Sequence, residues 1–365
     1  MNKDIFQNLL KIDRDLINAD TKLSILKHFT PINIEEEKKK FIDSKGTYIP
    51  KFKYKKLNIN LNEVYEKVSA IKIPRSDLSG IYKRKKEEIL NEIMLLKAFE
   101  KQDIKGLNKY CKHLYGKVNA KNLEYSNNIL SQKKDIYRET DFLSFNDLEN
   151  IVEEYNKKYD INLKLKEANI VSRFTIIFND VLLVKYGCLV GKKEIKSVIA
   201  HEIEGHHLRR ENAKNHKLKI FYYGTAGYVD TEEGIATYNQ NKFIDTKDEK
   251  YYFNAERYYF INFMLNNTYS KTLKELKKYY NDDYSKIFDN ILRLKRGLKD
   301  ISQNYCYTKD LIYINGYLEL LDFIDNGGDI KELYFGKIGV KDLEEIKNSK
   351  LVKIDLSKLK IPLFY

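Results

Sequence analysis

The stretch from residue 201 to residue 206 reads His-Glu-Ile-Glu-Gly-His and places a carboxylate beside two imidazoles. Two histidines on one helix face can bind a zinc ion, and a neighbouring glutamate can accept a proton from water at that ion. The familiar spacing for this arrangement is HExxH, whereas the spacing here is HExxxH. The segment therefore predicts a metal site with its own general base, Glu202, in a helix of irregular geometry.

The five-residue step from His201 to His206 determines how the helix must depart from regular α-helical geometry. On an ideal helix it rotates by about 500°, which leaves the two side chains roughly 140° apart. A single π-type turn absorbs the extra residue, such turns concentrate at functional sites, and Gly205 supplies backbone freedom at that point. His207 is the alternative second ligand, but it lies about 120° short of two full turns from His201. We prefer His206 and expect a π-type turn.

The residues before the motif predict its surroundings. Ile195, Val198 and Ile199 follow helical spacing and form a face that can be buried while the helix continues into His201. Further upstream, the apolar runs 174–178 and 181–184 are separated by Asn-Asp, which favours a β-hairpin. A hairpin followed by a metal-binding helix is typical of zincin active sites. The predicted fold is therefore α+β, helix-rich, with a small β-sheet beside the HExxxH helix.

A third protein ligand is expected because catalytic zinc has three, with one position left for water. Downstream, Thr231 is predicted to cap a helix whose first turn contains Glu232 and Glu233. Acids in a first turn are also favoured by the helix dipole without any metal. Gly234 and Ala236 are small and would let this helix approach the histidine helix closely.

With these segments in view, the chain resembles the tubulin tyrosine carboxypeptidase family, whose bacterial members are named after a QEGLA motif. Members have HEIGTH followed by an Arg and an Asn, and later EGLA. Glu204-Gly205 stands where the family usually has Gly-Thr, and Glu232 stands where bacterial members often have Gln. The matching residues here are His201 to His206, Arg209, Asn212 and Glu233 to Ala236.

The resemblance extends over nearly the whole chain and implies roles for individual residues. It implies one zinc ion bound by His201, His206 and Glu233, with Glu202 as the base. A weaker similarity is to metal-dependent dipeptidyl peptidases with an HExxGH pattern, which are much longer enzymes. Further similar segments are Ile12 to Arg14, Asn33 to Phe41, Leu114 to Gly116, Arg293 to Gly297, Thr308 to Asp310 with Tyr313 and Gly316, and Gly336-Lys337.

The implied reaction is removal of a C-terminal, tyrosine-like residue from a peptide or protein tail. Binding a terminal carboxylate needs a cation, and arginine suits this because its planar fork can bond both oxygens. The candidates are Arg173, Arg209, Arg293, Arg296 and Lys309, each of which could instead form an ordinary ion pair. Endopeptidase action and a non-catalytic basic binding module with a structural metal are the alternatives. Glu202 argues against the binding module, since a structural site has no use for a base.

Composition limits the class of partner. The chain has 365 residues and a net charge of +13, which favours an acidic tail as substrate. It lacks helix-turn-helix, zinc-finger and RNP signatures, so we expect no nucleic-acid partner. No apolar run approaches the ~18 residues of a membrane span, and the start has no signal-like apolar stretch, so we expect no membrane partner and a cytoplasmic location. Three scattered cysteines indicate neither disulfides nor a thiolate zinc site.

The predicted organisation is a helical N-terminal region, 1–140, packed on a catalytic region, 141–365, as one continuous unit. Helices are expected at 4–28, 76–101 and 120–132, and a strand at 162–166. Asn33 with Glu36, and Ser144 with Asp147, have the spacing of helix-capping pairs.

Overall fold

Helices dominate the chain, and its strands are few and short. A computed structural model describes residues 3–133, 136–137, 139–170, 172–177 and 179–365. This pattern confirms the predicted helix-rich α+β class. The helices are α1 Lys3–Leu23, α2 Ile25–His28, α3 Ile34–Asp43, α4 Leu61–Ala70, α5 Ser79–Lys101, α6 Ile104–Tyr115, α7 Ala120–Ser131, α8 Phe145–Tyr159, α9 Ile195–His201, α10 Leu208–Ala213, α11 Ile220–Tyr223, α12 Tyr228–Asn241, α13 Phe253–Asn266, α14 Tyr269–Tyr279, α15 Tyr284–Lys295, α16 Leu311–Asp325 and α17 Leu343–Lys347. The strands are β1 Phe142–Leu143, β2 Lys164–Ala168, β3 Phe174–Ile177, β4 Val181–Lys185 and β5 Val190–Gly191.

The chain forms two units, each built from two separate segments. One, which we call the helical unit, contains residues 3–131 and 253–314, and the other, the sheet unit, contains 132–252 and 315–365. These units are defined by compactness, and the predicted boundary between residues 140 and 141 stays a prediction. The motif at 201–206 and the helix with Glu233 both lie in the sheet unit.

The helical unit has an aromatic core. Phe41 of α3 packs against Phe288 of α15, with ring centroids 5.8 Å apart, and Phe29 packs against Phe99 of α5 at 4.9 Å. Helix α5 buries the predicted stripe, although it begins at Ser79, three residues later than expected. The buried stripe residues are Ile81, Ile89, Ile93, Leu96 and Phe99.

Two details of the N-terminal prediction are wrong. The helix expected at 4–28 is interrupted at Ser24, whose φ of 41° is left-handed. Asn33 precedes α3, but its side chain bonds the backbone of Lys51 and Lys53 and does not cap the helix. The amide therefore fixes the following extended segment to the start of α3.

The sheet unit contains a three-stranded sheet with the order β2-β4-β3. Strands β3 and β4 form the predicted antiparallel hairpin, with Asn179 and Asp180 at φ 73° and 56° in its turn. Asn and Asp tolerate such positive φ values better than most residues. Phe178, which the predicted hairpin also included, lies outside the described residues. Strand β2 pairs in parallel with β4, two residues later than the strand expected at 162–166.

A hydrophobic cluster joins this sheet to the helix of the HExxxH motif. Ile199 of α9 and Ile203 are buried against Leu182 of β4 and Val152 of α8, and Ile195 packs on the same cluster. Helix α8 begins with the predicted capping box of Ser144 and Asp147. The small sheet thus lies beside the HExxxH helix, as expected, and positions it.

Candidate functional site

The HExxxH segment adopts a π-helical turn. Regular helix α9 ends at His201, residues Glu202–His207 form the π-helix, and α10 resumes at Leu208. The wider turn returns the fifth residue to the starting face, and the rings of His201 and His206 lie 4.9 Å apart. The predicted π-type turn is therefore present. The hydroxyl of Tyr334 donates to the backbone carbonyl of Glu204 at 2.7 Å, which gives this irregular turn an extra hydrogen bond.

Glu233 of α12 faces both imidazoles. Its Oε2 lies 3.8 Å from Nε2 of His201 and 3.8 Å from Nε2 of His206. One donor atom from each of the three residues lies within 4.8 Å of the others. The structure thus brings together the three residues predicted as metal ligands.

The start of α12 differs from the prediction. The helix begins at Tyr228, after Gly227 in the left-handed region, so Thr231 is inside the helix and is not its N-cap. The Thr231 hydroxyl instead accepts the backbone N–H of Val340 at 2.9 Å. Glu232 and Glu233 therefore lie in the second turn of α12. The helix dipole stabilises acidic side chains mainly in the first turn, so it explains these two residues less well.

Close packing of small residues positions α12. A Cβ at Gly205 would lie 2.8 Å from Cα and 2.9 Å from Cβ of Ala236, so the π-turn and α12 touch at this glycine. Gly205 has no positive φ, and glycine is therefore needed for space and not for backbone freedom. Gly234 faces away from this contact, since a Cβ there would lie 2.4 Å from the carbonyl oxygen of Gly316.

Glu232 contacts the ring nitrogen of His206 that does not face Glu233. The Nδ1 atom of His206 lies 3.2 Å from Glu232 Oε1, which leaves Nε2 facing Glu233. The same carboxylate accepts hydrogen bonds from Arg209 at 2.6 Å and from Lys337 at 2.8 Å. Burial by itself raises the pKa of Glu232, but Lys337 and Arg209 outweigh it and hold the pKa well below its usual range. Glu232 is thus a fixed anion, and carboxylate–histidine–metal arrays use this geometry to set the histidine tautomer.

Arg209 is fully buried, and its guanidinium is committed to this network. Besides Glu232, it donates to the carbonyl of Leu333 at 3.1 Å and to that of Ile338 at 2.7 Å. Arg209 was predicted as a candidate for binding the substrate carboxylate. In the structure its guanidinium holds Glu232 in place, and the predicted role in substrate binding stays a prediction. Neither Glu232 nor Lys337 was predicted to support the site, although both lie in segments of the family resemblance.

Glu202, the predicted base, follows His201 at the beginning of the π-turn and is partly exposed. Burial raises its pKa to about 7; positive charge at His206 opposes that shift, and Glu233 adds to it. A cation among the three ligand atoms would favour the ionised carboxylate.

Arg173 is paired within the sheet unit. Its guanidinium contacts Glu194 at 2.6 and 3.2 Å and the carbonyl of Leu189 at 2.8 Å, and Lys250 also contacts Glu194. It anchors the residues before α9. Its predicted role in carboxylate binding stays a prediction.

The other three carboxylate-binding candidates lie in the helical unit. Arg293 pairs with Asp310 at 2.9 Å, and Lys309 is adjacent to that carboxylate in sequence. Burial, followed by the charge of Arg293, lowers the pKa of Arg296. Among the described residues, the buried Nε of Arg296 has no hydrogen-bond partner. Their role as carboxylate ligands also stays a prediction.

Known proteins resemble the chain over most of its length. A family model described as "Microtubule-associated tyrosine carboxypeptidase" matches residues 39–356. A Mus musculus protein named microtubule-associated tyrosine carboxypeptidase 1 is 24% identical over 348 residues, which are 93% of this chain and 66% of that protein. A Mus musculus putative tyrosine carboxypeptidase, MATCAP2, is 24% identical over 342 residues, 89% of this chain and 56% of that protein. The chain thus spans between about half and two thirds of the length of these relatives.

Proposed function

The chain belongs to the microtubule-associated tyrosine carboxypeptidase family, and on that premise we propose that it is a zinc metallocarboxypeptidase. Its proposed reaction is hydrolysis of the last peptide bond of a peptide or protein tail, with release of a tyrosine-like residue. The observation that supports this most directly is the convergence of His201, His206 and Glu233, with Glu202 next to the first ligand.

The donor set fits zinc. Two imidazoles and a carboxylate are a common protein ligand set for catalytic zinc, and bonds of about 2.0–2.2 Å in a tetrahedron place ligand atoms about 3.3–3.6 Å apart. Glu233 Oε2 lies 3.8 Å from Nε2 of each histidine, so a small shift of this carboxylate would bring both distances close to that range. Glu232 would hold His206 with Nε2 available, which supports a preorganised site.

The protein's own groups would perform the proton transfers. When bound, a zinc ion lowers the pKa of water and polarises the scissile carbonyl. Glu202 accepts the proton of the attacking water and later delivers it to the leaving amine. The close approach of the π-turn to α12 at Gly205 and Ala236 would help to hold His201, His206 and Glu233 in place during both steps.

The substrate is proposed to be an acidic tail with a free carboxylate. The net charge of +13 supports attraction of acidic chains, and the names of the relatives include "microtubule-associated" and "tyrosine carboxypeptidase". The candidates for binding the carboxylate stay Arg173, Arg209, Arg293, Arg296 and Lys309. Among the described residues, the buried Nε of Arg296 has no hydrogen-bond partner, which favours Arg296 for this role. Along the described ranges, no helix has the length and apolar character needed to cross a bilayer. We propose a cytoplasmic location.

The test is a peptide assay on the zinc-loaded chain. Acidic peptides ending in tyrosine are expected to lose one residue, and peptides blocked at the N-terminus are expected to be cleaved equally well. The same peptides with an amidated C-terminus are expected to resist cleavage, because the carboxylate partner is lost. Dipeptides released from free N-termini would instead support the dipeptidyl peptidase alternative, and internal cleavage of amidated peptides would support an endopeptidase. Absence of zinc and of any cleavage would contradict the proposal.

A further inference from the structure

A second cluster of potential ligands lies beside the first. His207 ends the π-turn, Glu211 follows four residues later on α10, and Asp180 lies in the turn between β3 and β4. The four-residue step places His207 and Glu211 on one side of the helix. One donor atom from each of the three residues lies within 4.8 Å of the other two. All three belong to the sheet unit.

His207 is the unusual member of this cluster. Its side chain is 0% exposed, and neither ring nitrogen has a hydrogen-bond partner among the residues that the structure describes. Buried polar groups are normally paired, and each exception calls for an explanation. A buried imidazole with a ring nitrogen within 4.8 Å of oxygens of two carboxylates has the chemistry of a metal ligand.

Lys214 shows that the two carboxylates already share a cation. Its Nζ lies 2.9 Å from Asp180 and 3.3 Å from Glu211. The lysine side chain is 43% exposed, so its ammonium can leave the cluster for water. The guanidinium of Arg210 bonds the carbonyls of Ile176 and Ile177 nearby, and its charge disfavours a further cation. Any ion must therefore displace Lys214 and binds more weakly for that reason.

We propose that Asp180, His207 and Glu211 form a second binding site for a divalent transition-metal ion, separate from His201, His206 and Glu233. One imidazole and two carboxylates suit zinc or a similar first-row ion, with water completing the coordination. A bound ion would link the β3–β4 turn to the π-turn and α10, next to the two histidines of the first site. Binding of this ion does not depend on the proposed carboxypeptidase reaction.

The experiment is a zinc titration of the full chain after removal of metal with a chelator. The wild type is expected to bind two ions, the second more weakly. The double variant His201→Ala, Glu233→Gln keeps one ligand of the first site and is expected to bind one ion. In that background, Asp180→Asn is expected to weaken binding at least about tenfold.

Variants of lysine provide the matched comparison. Lys214→Met is expected to strengthen binding at the second site, because the competing ammonium is removed, whereas Lys217→Met, an exposed lysine in the same loop, is expected to change nothing. These substitutions lie at exposed positions, so the test does not require that a His207 variant fold. A single zinc in the wild type, or binding in the double variant that Asp180→Asn leaves unchanged, would overturn the second site. Neither result would affect the first.

Discussion

Gly205→Ala tests whether close packing of the π-turn on α12 assembles the metal site. The new methyl would lie 2.8 Å from Cα of Ala236, and ordinary contact begins at 3.4 Å, so the two elements must separate by about 0.6 Å. Because the obstacle is backbone, rotation of a side chain cannot relieve it. Overpacking of this kind costs about 1–3 kcal/mol of unfolding free energy.

The same displacement moves Glu233 away from the histidines. Starting from 3.8 Å, a further shift of about 0.6 Å takes its carboxylate well outside the spacing of a tetrahedral zinc site. We expect weaker zinc binding and a fall in kcat/KM of up to about 10²-fold. Chemical unfolding, zinc titration and tyrosine release from a peptide measure the three effects.

Two variants make the result specific. Gly339→Ala is the matched control, because its added methyl would have neighbours no closer than 3.4 Å and its φ of −82° suits alanine. Adding Ala236→Gly to Gly205→Ala removes the Cβ contact at 2.9 Å but leaves Cα at 2.8 Å, so only partial recovery is expected. Wild-type stability, zinc affinity and activity in Gly205→Ala would refute the packing argument.

Further predictions concern the ligands and their supports. Glu202→Gln is expected to keep zinc and the fold but lose about 10²–10⁴-fold in kcat, because the base is gone; turnover near the wild-type rate would identify another base. Glu233→Gln is expected to lose zinc because it removes a ligand, whereas Glu232→Gln is expected to bind zinc about 10–100-fold more weakly because it removes the support of His206. A zinc titration that ranks the two variants in the opposite order would make Glu232 the ligand and Glu233 the support. Arg209→Met is expected to destabilise the chain by about 3 kcal/mol in chemical unfolding, since Glu232 loses a buried partner. An unchanged unfolding midpoint and slope would contradict that assignment.

The metal motif could be predicted because its spacing leaves few geometries. A five-residue step brings His201 and His206 together only if the helix widens, and the π-turn follows from that constraint. Two short-range signals were also confirmed, namely the capping box of Ser144 and Asp147 and the β3–β4 hairpin.

Features that depend on distant residues were not predictable in this way. Thr231 looked like an N-cap, but its hydroxyl bonds Val340, which no local pattern reveals. Asn33 was misassigned for the same reason, because Lys51 and Lys53 compete for its side chain. The parallel pairing of β2 with β4 and the anchoring of Glu232 by Lys337 likewise require knowledge of the fold.

The hydrogen-bond partners of Arg209 are far away in sequence, and this affects when the site can form during synthesis. Its guanidinium is satisfied by carbonyls 124 and 129 residues further along the chain, at Leu333 and Ile338. On a ribosome, where synthesis proceeds at about 5–20 residues per second, the histidines emerge several seconds before those carbonyls exist. Metal capture in its final geometry must therefore be a late event in biogenesis, and nascent chains stopped before residue 333 are expected to expose an unfinished centre.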